Sequence, residues 1–535
     1  MAGKTAKENV EKGKSRSLPP KYEDILKAAG PMGWYQLGIF IWMLSMLWVF
    51  GCQLKFSIYG GIKPKEVPCN GTGISTLLFN ETLEIDVPIV LIEGKCYSYD
   101  LPFYSIAAEW QLVGSRAYII HLINTVQMAG VFFGPLIFGQ LSDSLGRKLS
   151  MILTSIGVSV FGIASGFSIS WEMFMGFRFL IGFFCGAMLS VGYTYTAENV
   201  MGSWRILFSC VPFPLNYYFF TLLGWLTQHW RTFSWFINSP ALLMLTIPIF
   251  LFESPKWLLV KNRSQDARNV FLQIAKRNGK DEFRVGKMVD QLISTDEKAK
   301  GNSGESGKSS NYSYWHLFRT KTSAIQAAAI CLCFCSVAAN FYGLLYNVSN
   351  LAGNPYVNSL ILGSTILIAE TIVTIIDFKV RRFGRRLSIQ IGVWGPAVSS
   401  AILAVVYWTG VNRVASWSTK FASFLGLALT GFFWIGGVIM SAELFPTELR
   451  NMGSSLCNMA SRVGGIISPQ LLSLRTQWLP LPFIIYAAML AVSGISSLLV
   501  LPETKDKTLP DLVQSKKAEI KEHSEATSTE HTTQI

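Results

Sequence analysis

Read as apolar against polar positions, the chain contains twelve stretches long enough to cross a membrane as helices, because about 20 apolar residues cover roughly 30 Å of hydrocarbon. They lie near 34–58, 117–140, 149–169, 173–196, 206–228, 231–252, 323–347, 357–378, 386–409, 417–441, 452–473 and 480–501. Short polar turns separate most of them, with hydrophilic blocks at 1–33, 59–116 and 253–322 and a polar tail over 503–535. The pattern predicts an all-α membrane protein with six helices in 34–252 and six in 323–502.

Composition agrees: 50% of the 535 residues are hydrophobic and 15% are charged, against about 25% charged in a soluble domain. The mean hydropathy is +0.36. The net charge of +13 fits membrane topology better than nucleic-acid binding once it is located. Block 253–322 carries fourteen Lys and Arg against eight Asp and Glu, a net of +6, whereas block 59–116 carries four against seven, a net of −3. Positive loops stay inside, so both termini and the central block are expected in the cytoplasm. The Lys-rich first thirty residues hold no short apolar core followed by a cleavage site, so the first span is expected to act as the anchor.

The same topology puts the sequons at Asn70 and Asn80 outside, where glycans are added, and those at Asn262 and Asn311 inside. Cys52, Cys69 and Cys96 face the oxidising side, where one pair can bridge. Cys185, Cys210, Cys331, Cys333, Cys335 and Cys457 fall in spans and read as small packing residues. Successive members of the 331–335 Cys-x-Cys-x-Cys run point about 200° apart on a helix, so they do not converge on one metal ion.

Three marks recur in the same order in the two halves. GQLSDSLGRK (139–148) is echoed by VRRFGRR (380–386). AENVMGSWR, with Glu198 and Arg205 seven apart, is echoed by AELFPTELR, with Glu443 and Arg450 seven apart. FESPK (252–256) is echoed by LPETK (501–505). The repeat implies two related six-helix bundles. Asp143, Arg147 and Lys148 in the first half, with Gly384, Arg385 and Arg386 in the second, are gating candidates whose charge pairs lock helix ends in one state and release them in another. Gly139 and Gly146 are expected to permit close helix approach and a tight turn.

These loops resemble the major facilitator superfamily. The finer marks, YSIAAEWQLVGSR (104–116), ESPKWLL (253–259), AELFPTELRNMGSS (442–455), SRVGGIISP (461–469) and LPETKDKTLPD (501–511), resemble solute carrier family 22, the organic cation, carnitine and organic anion transporters. The AAEW and SRVGGII stretches resemble the carnitine and zwitterion carriers most. The resemblance implies a plasma-membrane, alternating-access carrier of small organic ions, either facilitative or coupled to a sodium ion or proton, with no resident cofactor. It also implies a role for Arg178, in RFLIG, in conformational coupling. Two departures stand out: Gly114 replaces a common family Cys, and Arg381 stands where the family has an acid, with Asp377 four residues further back.

An ionisable residue inside a span is a functional candidate by default. Arg462 lies twelve residues past Arg450, about 18 Å along a helix and thus near the midplane. Its guanidinium suits a carboxylate; the resemblance agrees, since carnitine and anion carriers have Arg there and cation specialists Asp. Glu370 is the second midplane charge; it attracts a cationic group, binds the coupling ion or neutralises Arg462. Matching family segments line the central cavity at Tyr217, Tyr218, Phe341, Tyr342, Phe432, Phe433 and Trp434, and aromatic faces attract quaternary ammonium groups. The combination favours a carnitine-like or betaine-like zwitterion, with an organic anion exchanger as the alternative and a transport-inactive receptor on the same fold as the second.

GNSGESGKSS (301–310) places Asn302 where a phosphate loop needs its first Gly, and the five His belong to no catalytic or metal motif, so neither an ATP-driven pump nor an enzyme is indicated. The acidic, Thr-rich tail beyond 513 reads as a disordered segment able to recruit a partner. The topology makes one direct prediction. Changing Asn70 and Asn80 to Gln removes the glycosidase-sensitive mass of the protein expressed in cells, and glycans found at Asn262 or Asn311 would reverse the assignment.

Overall fold

The computed structural model describes residues 20–67, 89–201, 212–302, 317–318, 320–380, 383–411, 415–445 and 449–504. Asn70, Asn80, Cys69, Arg205, Cys210, Asn311, Arg381 and the tail beyond 504 lie outside these residues, as does the Asp377 side chain.

Twelve helical segments occupy the twelve predicted positions: Trp34–Lys55, Tyr118–Leu145, Arg147–Ser165, Trp171–Asn199, Pro212–Thr227, Trp230–Asn238 continued by Ala241–Phe250, Lys321–Asn347, Pro355–Lys379, Arg385–Thr409, Ser416–Glu443, Arg450–Ser473 and Leu481–Val500. Among the described residues nine are long and apolar enough by themselves to cross a membrane. The sixth is interrupted at Ser239 and Pro240, where proline lacks the amide that would continue the ladder. The eleventh is diluted by Arg462 and a run of Ser, Asn and Gly. Large apolar side chains such as Phe133, Ile137, Ile368 and Val492 stand exposed on the outer surface, as lipid contact requires.

Two hydrophilic blocks hold more structure than a loop. Block 59–116 contains a three-stranded antiparallel sheet in the order β1 (Lys65–Val67), β3 (Lys95–Ser98), β2 (Ile89–Ile92), which the all-α reading did not contain. Its register pairs Glu66 with Tyr97 and Val90 with Tyr97. Glu93 and Gly94 turn the β2–β3 hairpin with φ of 52° and 77°, the left-handed pair that a tight two-residue turn demands. Cys96 is disulfide-bonded to a partner outside the described residues, while Cys52 is a buried free thiol. Block 253–322 forms the helices Pro255–Val260, Ser264–Arg277 and Glu282–Asn302. Ala267, Phe271, Ile274 and Ala275 bury one face of the second, with Phe271 edge-on to Tyr22 at 5.7 Å. Asn278 ties this block to the first span, accepting from the Tyr35 amide at 3.1 Å and donating to the Ala29 carbonyl at 2.9 Å.

The helices approach through small residues, as spans must when lipid offers no hydrophobic drive between them. A Cβ added at Gly182 or Gly130 would strike backbone of the facing span, at Gln127 and Phe179 respectively. Gly464 of the eleventh span meets the Cys335 carbonyl of the seventh in the same way. Gly139 differs from expectation: a Cβ there has open space within 4 Å, so no close approach depends on it.

One end of the molecule carries the sheet, and the other carries the turns at Gly146 and Gly384. A single buried core runs through the first half, from Ile25, Phe271 and Val285 near the turn face to Tyr59 and Phe103 near the sheet, and takes in the sheet-side part of the second half through Phe341, Leu362 and Tyr486. Toward the turn face the second half has a core of its own around Ile330, Phe334, Ile389, Phe433 and Met440. The bonds that join the halves follow the first core: Gln470 donates to Thr125 at 3.0 Å, Tyr356 donates to the Pro102 carbonyl at 2.7 Å, and the Tyr59 and Tyr356 rings lie 5.3 Å apart. Among the described residues these contacts join the halves on the sheet side.

Candidate functional site

On the turn face, Gly146 adopts φ 104°, which lets the chain reverse between the second and third spans with the Glu253 carboxylate against it. Glu253 accepts from the backbone amides of Arg147 at 2.9 Å and Lys148 at 3.2 Å, the unsatisfied donors at the start of the third span. The second half repeats the device. Glu503 accepts from the amides of Arg385 at 2.8 Å and Arg386 at 3.1 Å, and it sits against Gly384. The FESPK and PETK echoes thus mark one carboxylate that ties the last span of each bundle to its third, a role not read from the sequence.

Arg147, 9% exposed, binds Asp143 at 2.5 Å, Glu198 at 3.3 Å and the Ser142 hydroxyl at 2.9 Å. Glu198, one of the repeated marks, therefore pairs with Arg147. Lys148 donates to the Ile249 carbonyl, and the Trp257 indole donates to the Asp143 carbonyl at 3.0 Å. In the second half Glu443 accepts from Thr504 at 2.6 Å, Arg386 donates to the Leu498 carbonyl, and the Arg450 Nε and one terminal nitrogen are buried with no hydrogen-bond partner among the described residues. Among the described residues the bonds of Arg147 and Glu253 stay within the first half, and the bonds of Glu503 to Arg385 and Arg386 lie within the second.

Midway along the spans, Arg462 donates to the Tyr342 hydroxyl at 3.4 Å. Tyr342 stands edge-on to Phe341 at 5.4 Å, and Phe341 stands edge-on to Trp434 at 6.3 Å, so four predicted residues from three helices form one connected group. Glu370 of the eighth span packs beside Gly431 of the tenth and lies close enough to Tyr217 to act on it electrostatically, as does Tyr342. Neither Arg462 nor Glu370 forms an ion pair, with the other or with any other described residue.

Other predicted residues lie apart from this group. Tyr218 turns to Ser364 at 3.0 Å. Phe432 faces Phe383 toward the turn end; Phe433 is the exception, buried on Phe334 at 4.9 Å and edge-on to Trp434 at the margin of the group at 6.0 Å. Consecutive helical residues diverge by about 100°, so one of the three tenth-span aromatics joins Phe341 and the others pack elsewhere. Arg178 is buried toward the sheet side, bonded to Gln53, with its guanidinium 3.7 Å from the Phe56 ring centre.

The sequence reading missed Lys55. It is 1% exposed, bonded to Asn216, with its ammonium 3.5 Å from the centre of the Tyr217 ring. The signal was present, since a lysine near the end of an apolar run is itself an intramembrane ionisable residue. No group of His, Cys, Asp or Glu among the described residues is arranged to hold a metal ion.

The sugar (and other) transporter family matches residues 97–514. The organic cation transporter protein of Drosophila melanogaster is 31% identical, over 78% of this chain and 75% of its own length. The solute carrier family 22 member 15-like protein of Xenopus tropicalis is 30% identical, over 77% and 82%. Among solved structures, the inward-open conformation of the xylose transporter XylE from E. coli shares the fold with a TM-score of 0.62, at 16% identity, over 90% of this chain and 99% of that one.

The carboxylate clamp generates a stability prediction. Glu253→Gln replaces charge-assisted bonds with neutral ones and lowers unfolding stability by about 1.5–3 kcal/mol, read as a lower thermal midpoint of the purified protein. A midpoint equal to that of the unmodified protein would show that the clamp contributes nothing.

Proposed function

The chain belongs to the sugar (and other) transporter family of the major facilitator superfamily and, within it, to solute carrier family 22; from that premise we propose that this membrane transporter carries small zwitterions bearing a carboxylate and a quaternary ammonium. The observation that carries the reading is a pair of opposite midplane charges, Arg462 and Glu370, that do not neutralise each other. An unpaired charge away from water is costly, and a substrate with both signs offsets that cost at both places. Arg462 takes the carboxylate through parallel N–H bonds. Glu370 and the faces of Phe341, Tyr342 and Trp434 take the ammonium, each face contributing about 0.5–2 kcal/mol. Glu370 also remains the natural seat of a coupling proton or sodium ion. The organic cation transporter name of the Drosophila relative fits the cationic end of such a substrate.

In this reading the turn face is cytoplasmic, in keeping with the +6 central block, and the bundles part toward the cytoplasm. Transport is a rocking of two bundles about the midplane, each held rigid by its own Glu253 or Glu503 clamp. A second reading rests on Lys55: a buried lysine beside Tyr217, together with the half-buried Arg462, gives two cations within the spans against the one acid Glu370, which suits an organic anion.

Uptake of labelled carnitine, a permanent organic cation and a dicarboxylate, compared in cells expressing the protein and its Arg462→Ala variant with and without sodium, separates these. The zwitterion reading predicts carnitine uptake that falls at least about tenfold in the variant while cation uptake survives. Selective dicarboxylate uptake supports the anion reading, and no flux from protein present at the cell surface contradicts both.

A further inference from the structure

The first span begins at Trp34, and Trp34, Leu37 and Ile41, at i, i+3 and i+7, share one face of its helix. Trp34 is 74% exposed and Ile41 is exposed below it, so this face belongs to lipid. Beside it the sixth span ends on Ile249 and Phe250, both exposed. The two spans touch through the stacked rings of Tyr35 and Phe252, 5.4 Å apart. Where both end on the turn face, the C-terminal end of the helix Ser264–Arg277 lies across them. Arg277 donates to the Phe250 carbonyl at 2.6 Å. Asn278 accepts from the Tyr35 amide at 3.1 Å and donates to the Ala29 carbonyl and to Gln36 Oε1, each at 2.9 Å.

A cavity of about 410 Å³ opens under this overhang, with Met32, Trp34 and Leu37 on one wall and Gly33, Asn278 and Lys280 on the other. Its shape is held open by bonds rather than by chance, since Asn278 fixes the overhang to the first span at three points. The apolar wall runs on through Ile41 into the lipid-facing stripe. The polar wall carries Lys280, and Arg277 precedes it by three residues. Among the described residues neither cation forms an ion pair. The neighbouring acid Asp281 is turned to the amides of Phe283 at 3.0 Å and Arg284 at 3.2 Å. Cations beside an apolar stripe at the membrane surface match an amphiphile that is negative at its head and apolar below, and an exposed Trp at that level is at home among head groups.

We infer that this cavity is a binding site for an anionic phospholipid of the cytoplasmic leaflet, its head group held by Lys280 and Arg277 and one acyl chain laid along Trp34, Leu37 and Ile41. The lipid ties the first span, the end of the sixth and the central block of +6 into one unit, adding to the tie that Asn278 already makes. The site is distinct from the Arg462 group and does not depend on which substrate is carried. It rests on the turn face being cytoplasmic only for the leaflet that supplies the lipid.

The test is the thermal midpoint of the purified full chain in detergent, titrated at constant ionic strength with dioctanoyl phosphatidylserine, dioctanoyl phosphatidylcholine or sodium phosphate. The serine lipid is expected to raise the midpoint saturably, and the other two to leave it unchanged. Lys280→Gln, whose side chain forms no ion pair among the described residues, is expected to weaken the fitted affinity for the serine lipid about fivefold and to leave the lipid-free midpoint as it was. Lys287→Gln removes the same charge from the groove beside Arg268 and is expected to change neither. An equal shift with the choline lipid, or a shift with sodium phosphate alone, would overturn the anionic-lipid assignment. An affinity that Lys280→Gln leaves intact, or that Lys287→Gln weakens as much, would overturn the cavity as its seat.

Discussion

A charge withdrawn from water must be paired or put to use, and the arrangement of this protein follows from which of its buried charges are paired. At the turn face Arg147 is held by Asp143 and Glu198, while Glu253 and Glu503 each close on the backbone amides that open a neighbouring span. Those bonds lie within one bundle and make each bundle a unit. At the midplane the situation is reversed: among the described residues Arg462 has the Tyr342 hydroxyl at 3.4 Å and no ion pair, and Glu370 has no ion pair either.

The two cores express the same division in packing. Among the described residues the apolar core of the first half merges with the sheet-side part of the second, and the second half keeps a separate core toward the turns. Packed cores do not deform continuously; they shift as blocks. A carrier built from two such blocks, joined at one end by modest contacts such as Gln470 to Thr125 and Tyr356 to Pro102, can exchange one closed end for the other without unfolding either core.

Much of this was legible in the sequence, for stated reasons. Twelve apolar runs dictated twelve helical segments, because in hydrocarbon every backbone amide must be bonded within its own helix. The doubled turn motifs located both carboxylate clamps, although the part played by Glu253 and Glu503 needed three dimensions: the bond runs to backbone amides more than a hundred residues away, which no side-chain pattern records. The same holds for Glu198, whose partner Arg147 lies 51 residues away on another span. Lys55 was hidden inside an apolar run, and its environment, Asn216 and the Tyr217 ring, is assembled from a distant helix. Of Phe432, Phe433 and Trp434, helical geometry allows one to face the Arg462 group, and only packing decides which. The strands escaped because three- and four-residue segments in a polar block carry too little alternation to register.

The account turns on rigid bundles that rock about a shared midplane. The most direct test is a spin-label distance measurement between Leu149→Cys on the third span and Leu387→Cys on the ninth, both exposed near the turn face, with and without carnitine, alongside a pair of labels within one bundle. The account predicts two distance populations between the bundles whose balance shifts with carnitine, and one unchanged distance within the bundle. A single distance between the bundles that ignores substrate, or an intrabundle distance that moves as much as the other, would contradict it.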